Sequence, residues 1–183
     1  MSMSEYTDWR QDPEVQNIMD RYVEKFPEVF EGFDPQGIHV TMTKGRKQPL
    51  MRLHSIRHPI HVLVRRPYVL DVNDDEWQKL APRQRNMAVF SVMCAIPQGG
   101  FDPNSDYYAK KVKPDIQMHM LAFAAFGGVP NFLENPAAID PLERDADDVQ
   151  VSIHAAGGAA DGISRMPVTA DQIADAGMEG QDQ

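Results

Sequence analysis

The stretch from Ile38 to Val72 constrains the fold more than any other, because its apolar residues recur at every second position. Ile38, Val40 and Met42 alternate with His39, Thr41 and Thr43, and Ile60, Val62 and Val64 with His61, Leu63 and Arg65. Successive side chains of a strand leave opposite faces, so the pattern predicts strands over 38–43, 50–57 and 60–66, with "YVLDV" as a further strand. Lys44-Gly45-Arg46-Lys47-Gln48 then reads as a basic hairpin loop between the first two strands, and the block as a small antiparallel sheet.

Helical spacing takes over on both sides. In "DPEVQNIMDRYVEKF", residues 12–26, Asp12 is a cap candidate and Pro13 suits a first helical position. Val15, Ile18, Met19, Tyr22, Val23 and Phe26 form one apolar stripe. Asn73, Asp74, Asp75 and Glu76 offer caps for a short helix "DEWQKLA". Pro82 opens a longer helix over 82–96, which Gln98-Gly99-Gly100 stops. Residues 102–113 read as a loop, and Pro114 opens "PDIQMHMLAFAAF", ended by Gly127-Gly128. The fold class expected is α+β, a small antiparallel sheet packed with helices, over residues 1–133. From residue 134 periodicity fails and proline, alanine, glycine and aspartate dominate. Residues 134–183 therefore read as a largely disordered acidic tail, with one short helix at "TADQIADAG" capped by Thr169 and Gln172.

With 183 residues the chain can bury a core without covalent staples, and its one cysteine, Cys94, permits no disulfide framework. "MSMSEYTDWRQDPE" has neither a basic region nor an apolar run of the kind that directs secretion, and no segment approaches membrane-spanning length. These features predict a cytoplasmic protein with no membrane partner.

The net charge of −9 is unevenly placed: −6 over residues 1–38, +7 over 39–70, −1 over 71–130 and −9 over 131–183. The basic block contains no carboxylate at all. Lys44, Arg46, Lys47, Arg52, Arg57, Arg65 and Arg66 supply its cations, and His54, His58, His61 and Tyr68 lie between them as flat groups on which bases can stack. This pattern predicts single-stranded nucleic-acid binding through Lys44, Arg46, Lys47, Arg52, His54, Arg57, His61, Arg65, Arg66 and Tyr68. Strand alternation limits the set, since Arg52 and His54 share one face while Arg57 lies on the other. Lys110, Lys111 and Lys113, after Tyr107 and Tyr108, extend the path if their loop folds beside the sheet. The competing reading is internal: the basic strands are neutralised by Glu14, Glu24 and Glu28 of the amino-terminal helix.

The order of strand, "WQKL", "PRQR", apolar helix, glycine loop, "YYAKKVKPD" and helix resembles the phage metallopeptidase family, a zincin-like group. The resemblance covers roughly residues 66–133 and rests on "LAPRQRNMAVF" and "KPDIQ". It implies a zincin-like topology in which the helix over 82–96 takes the place of the one bearing the HExxH motif. The five motif positions would fall on Ser91, Val92, Met93, Cys94 and Ala95, so neither zinc-binding histidine nor the general-base glutamate is present. Zinc catalysis needs about three protein ligands and a base for the bound water. The expectation is therefore a binding protein and not an enzyme, with no cofactor and no metal.

Other sites are poorer. Cys94 and His119 are two soft ligands on separate helices, Ser91 has no glycine-flanked elbow, Asp74-Asp75 reads as a cap, and "KGRK" lacks phosphate-loop spacing. A basic block ahead of an acidic tail also resembles the single-stranded-DNA-binding RNA polymerase cofactors of lytic phages. That resemblance implies a transcription or replication cofactor in an infected host cell, with single-stranded DNA and an RNA polymerase as partners and self-association into a homo-oligomer. The alternatives are a diverged metallopeptidase, and a phage protein that binds a host protein through apolar surface supplied by its eleven methionines.

Overall fold

The computed structural model describes residues 13–44, 49–56, 60, 66–112, 120–128 and 131–150. Among these the architecture is α+β: a three-stranded sheet with four α-helices. Helix α1 is Pro13–Lys25, β1 Ile38–Thr43, β2 Met51–Ser55 and β3 Tyr68–Asn73. Helices α2, Asp74–Trp77, α3, Pro82–Met93, and α4, Met120–Ala125, follow. No helix among the described residues is long and apolar enough to cross a membrane.

The strand order is β1-β3-β2, which replaces the expected antiparallel meander with a mixed sheet. β3 runs parallel to β1, with Val40 opposite Leu70, and antiparallel to β2, with Leu53 opposite Leu70. β1 and β2 are accordingly not hairpin partners, because β3 lies between them; residues 45–48 of the expected basic loop lie outside the described residues. The reason for the strand order is burial. Tyr68, Leu70 and Val72 are all fully buried, and a strand that apolar benefits from a neighbour on each side. The strand expected over 60–66 falls mostly outside the described residues; Ile60 itself is helical and 59% exposed.

One sheet face, carrying Ile38, Val40, Met42, Leu53, Tyr68, Leu70 and Val72, is buried in the core. α1 packs there against α3 through its apolar stripe, where Tyr22 meets Phe90 edge-on at 4.9 Å between ring centroids, and Phe30, in the turn after α1, meets Phe90 at 5.5 Å. Phe90, fully buried, also lies 5.7 Å from Phe126 just beyond α4. Edge-to-face rings add to the burial of a side chain already worth about 1.5–3 kcal/mol.

The "PRQR" segment owes its form to capping and anchoring. Pro82 occupies a position where the missing N–H costs nothing. Gln84 Oε1 accepts from the Ala81 N–H at 2.8 Å, and its amide donates to the Leu133 carbonyl. Arg85 Nη1 holds both oxygens of Glu14 at 2.9 and 3.0 Å, while its Nε donates to the Trp77 carbonyl at 3.2 Å. Asn73 caps α2 through Glu76 N at 3.4 Å, as its position before the acids predicts. Gly99, at φ +79°, ends the turn after α3.

The packed chain extends beyond the boundary expected at residue 133. Ala138, Asp140 and Val149 are fully buried. Asp140 accepts hydrogen bonds from the Tyr22 hydroxyl at 3.1 Å, Asn86 Nδ2 at 2.6 Å and Leu142 N at 2.9 Å. Lys25 Nζ donates to the carbonyls of Leu142, at 2.8 Å, and Arg144. Residues 131–150 thus form a strap across α1 and α3, held by buried polar contacts that no apolar periodicity announces. The tail helix expected at 169–177 lies outside the described residues.

Candidate nucleic-acid interface

The alternation of the three strands assembles a second, outer face. Cross-strand register places His39, Val69 and His54 in one row and Thr41, Asp71 and Arg52 in the next. Arg66 stands at the end of β3 and its Nη1 lies 2.8 Å from His39 Nδ1. A guanidinium only donates, so His39 accepts on Nδ1 and carries its proton on Nε2. Burial, and then the charge of Arg66, push the His39 pKa below the usual histidine value. The ring is therefore neutral at pH 7.

The loop after α3 closes against β2, as the conditional reading of its lysines requires. Lys111 Nζ donates to the Leu53 carbonyl at 3.0 Å, and Val112 N to the Ala95 carbonyl at 2.8 Å. Lys111 thereby joins Arg52 and His54 beside the sheet edge. Burial, followed by Lys111, lowers the pKa of His54; Asp71 pulls the other way and Arg52 adds a smaller push down. Arg52, His54 and Lys111 are exposed.

The structure corrects one member of the expected set and shows a second already engaged. Tyr68 is no stacking platform: it is fully buried on the core face, and its hydroxyl donates to the carbonyls of Lys110 at 2.7 Å and Gly100 at 3.3 Å. Strand alternation explains it, since Tyr68 shares its face with Leu70 and Val72. A Cβ at Gly100 would lie 2.6 Å from that hydroxyl, so glycine is what lets the contact form. Lys44 is exposed, but its ammonium pairs with Asp74 at 3.2 Å, and Asp74 is 6% exposed. Of the other expected residues, Arg52, His54 and Arg66 are brought to the outer face or its end. Arg46, Lys47, Arg57, His61 and Arg65 lie outside the described residues, as do His58 and Lys113.

Sequence inspection missed one group that changes the character of the face. Asp71 lies one residue past the acid-free block, and its place opposite Arg52 puts a carboxylate among the cations. It accepts from Thr43 Oγ1 at 2.9 Å and from Thr41 Oγ1 at 3.5 Å, both through Oδ1. The alternation within "YVLDV" contains the signal: Asp71 must share a face with Val69 and oppose that of Leu70.

Two of the acids that the internal reading names are engaged with other groups. Glu14 is taken by Arg85 and by Trp77 Nε1 at 3.3 Å, and Glu28 accepts from Gln150 at 3.3 Å. At the end of α3 and in the turn after it, Val92 and Ala95 pack against the core, and Met93 and Cys94 are buried. Among the described residues no group of three or more His, Cys, Asp or Glu side chains is placed to hold a metal ion. No protein-family model, curated protein or solved structure matches the chain.

Proposed function

We propose that this chain is a non-catalytic single-stranded DNA-binding protein that grips its ligand across the outer face of the sheet. The observation that carries the proposal is the gathering of Arg52, His54 and Lys111, from two separated parts of the sequence, along β2, an edge strand among the described residues. His39 and Arg66 continue the cationic and aromatic character at the other side of the sheet. Such a surface supplies phosphate contacts and flat imidazole rings together, the combination single strands require. Cations placed side by side also cost stability through self-repulsion, which a bound polyanion relieves.

On this reading α3 keeps the place of a zinc-binding helix in a zincin-like arrangement, with Ser91 and Ala95 at the two histidine positions and Val92 at that of the general-base glutamate. The phage setting, the RNA polymerase partner and self-association follow from the resemblance of residues 66–133 and from the charge layout. The test is fluorescence anisotropy of a labelled single-stranded oligonucleotide against salt. Each phosphate contact contributes about −0.7 to the slope of log affinity against log salt. Arg52→Ala should flatten the slope by about that amount, and Lys44→Ala, whose ammonium already serves Asp74, by less. An unchanged slope in Arg52→Ala removes β2 from the site.

A further inference from the structure

Arg52 and Asp71 are direct cross-strand partners on β2 and β3, so their side chains leave the outer face next to each other. Opposite charges so placed ordinarily close into an ion pair, yet these do not. Among the described residues Arg52 makes no hydrogen bond or ion pair, and Asp71 uses only Oδ1, for the hydroxyls of Thr41 and Thr43. Asp71 Oδ2 is left as an acceptor beside a guanidinium with its donors uncommitted. Asp71 is also half-buried while Arg52 and His54 are exposed, so the carboxylate sits lower than the cationic rim.

A carboxylate is the wrong group to meet a phosphate and the right one to meet donors on a base. Guanine presents N1–H and N2–H₂ donors beside its O6 and N7 acceptors. Thymine offers one N–H between two carbonyls that a carboxylate repels, and adenine and cytosine each offer an amino group beside an acceptor nitrogen. Arginine to guanine O6 and N7 is a common specific contact, and single-stranded bases are read on these same edges. Resting on the single-strand reading above, we propose that Arg52 and Asp71 together read guanine: Asp71 accepts from the N1–H and N2–H₂ edge, Arg52 donates to O6 or N7, and neighbouring cations hold the flanking phosphates.

The rival role for Asp71 is to neutralise Arg52, and Asp71→Asn separates the two. The variant keeps an oxygen for Thr41 and Thr43 and removes one negative charge. Neutralisation predicts tighter binding to every strand by the same factor. Base reading predicts tighter binding to all-thymine strands together with loss of the guanine preference.

The experiment is anisotropy at fixed salt with the full chain and length-matched strands: all thymine, isolated guanines spaced by thymine, and the same strand with inosine, which lacks the N2 amino group. Spacing the guanines, in lithium buffer, avoids quadruplexes. The native chain should favour the guanine strand about tenfold, the size of one good base contact, with inosine between. Asp71→Asn, folded by circular dichroism, should bring the guanine and thymine strands to within about twofold of each other. Salt-dependent binding with equal affinity for guanine and thymine strands overturns guanine reading and leaves single-strand binding standing. A preference that survives in Asp71→Asn also overturns it. Failure to bind any strand at low salt overturns both.

Discussion

Replacing Asp140 by alanine tests the strap more sharply than any core truncation. Its carboxylate is fully buried and accepts from Tyr22, Asn86 and Leu142. Alanine leaves the Tyr22 hydroxyl, itself fully buried, with no acceptor, at about 1–3 kcal/mol. Asn86 and Leu142 are half-buried and recover water in part, so each adds about 1 kcal/mol. The sum, about 4 kcal/mol, is a large part of the roughly 5–15 kcal/mol that holds an ordinary domain together. For a chain of this size it lowers Tm by roughly 8–16 °C, at about 2–4 °C per kcal/mol. Urea unfolding and a thermal scan at pH 7 measure it, and Asp140→Asn, which keeps an acceptor for Tyr22, should lose less than half as much. A loss under about 1 kcal/mol in Asp140→Ala would refute the reasoning and make residues 131–150 an incidental contact.

Three further outcomes follow. Tyr68→Phe should cost about 1–2 kcal/mol, since two carbonyls lose a buried donor, while oligonucleotide affinity of the folded protein stays within twofold; a tenfold loss of affinity would restore Tyr68 to the binding surface. His39 and His54 resist protonation in the fold, so the unfolded chain binds more protons than the native one as pH drops through about 6.5. Stability present above that pH should therefore fall below it, and the His39→Gln/His54→Gln double variant should show a flatter urea midpoint between pH 7 and pH 5; an equal slope would mean other groups govern it. Gly99→Ala forces φ +79° on a residue with a Cβ that would lie 2.5 Å from Ser105 Oγ, and should destabilise by more than about 1 kcal/mol in urea unfolding.

Local grammar was readable and neighbour choice was not. Pro13, the α1 stripe, Asn73, Pro82 and Gly99 act through residues a few positions away, and each does in the structure what its type and spacing predict. The insertion of β3 between β1 and β2 depends on which strand is most apolar on its inner face, a comparison across thirty residues that turn signals do not make. The strap was illegible because its anchor is one aspartate that finds Tyr22 more than a hundred positions away, amid a composition that otherwise signals disorder. The candidate interface divides likewise. Alternation put Arg52 and His54 on one face, but scoring residues 39–70 by charge hid the burial of Tyr68 and stopped one residue short of Asp71.

Anisotropy of a labelled single-stranded oligonucleotide, titrated with the full chain at several salt concentrations and competed with duplex, tests the central claim most directly. The account predicts binding that weakens with added salt, yields to single strands more readily than to duplex, and weakens further in Arg52→Ala combined with Lys111→Ala. Absence of binding at low salt, or binding that the double variant leaves unaltered, would contradict it.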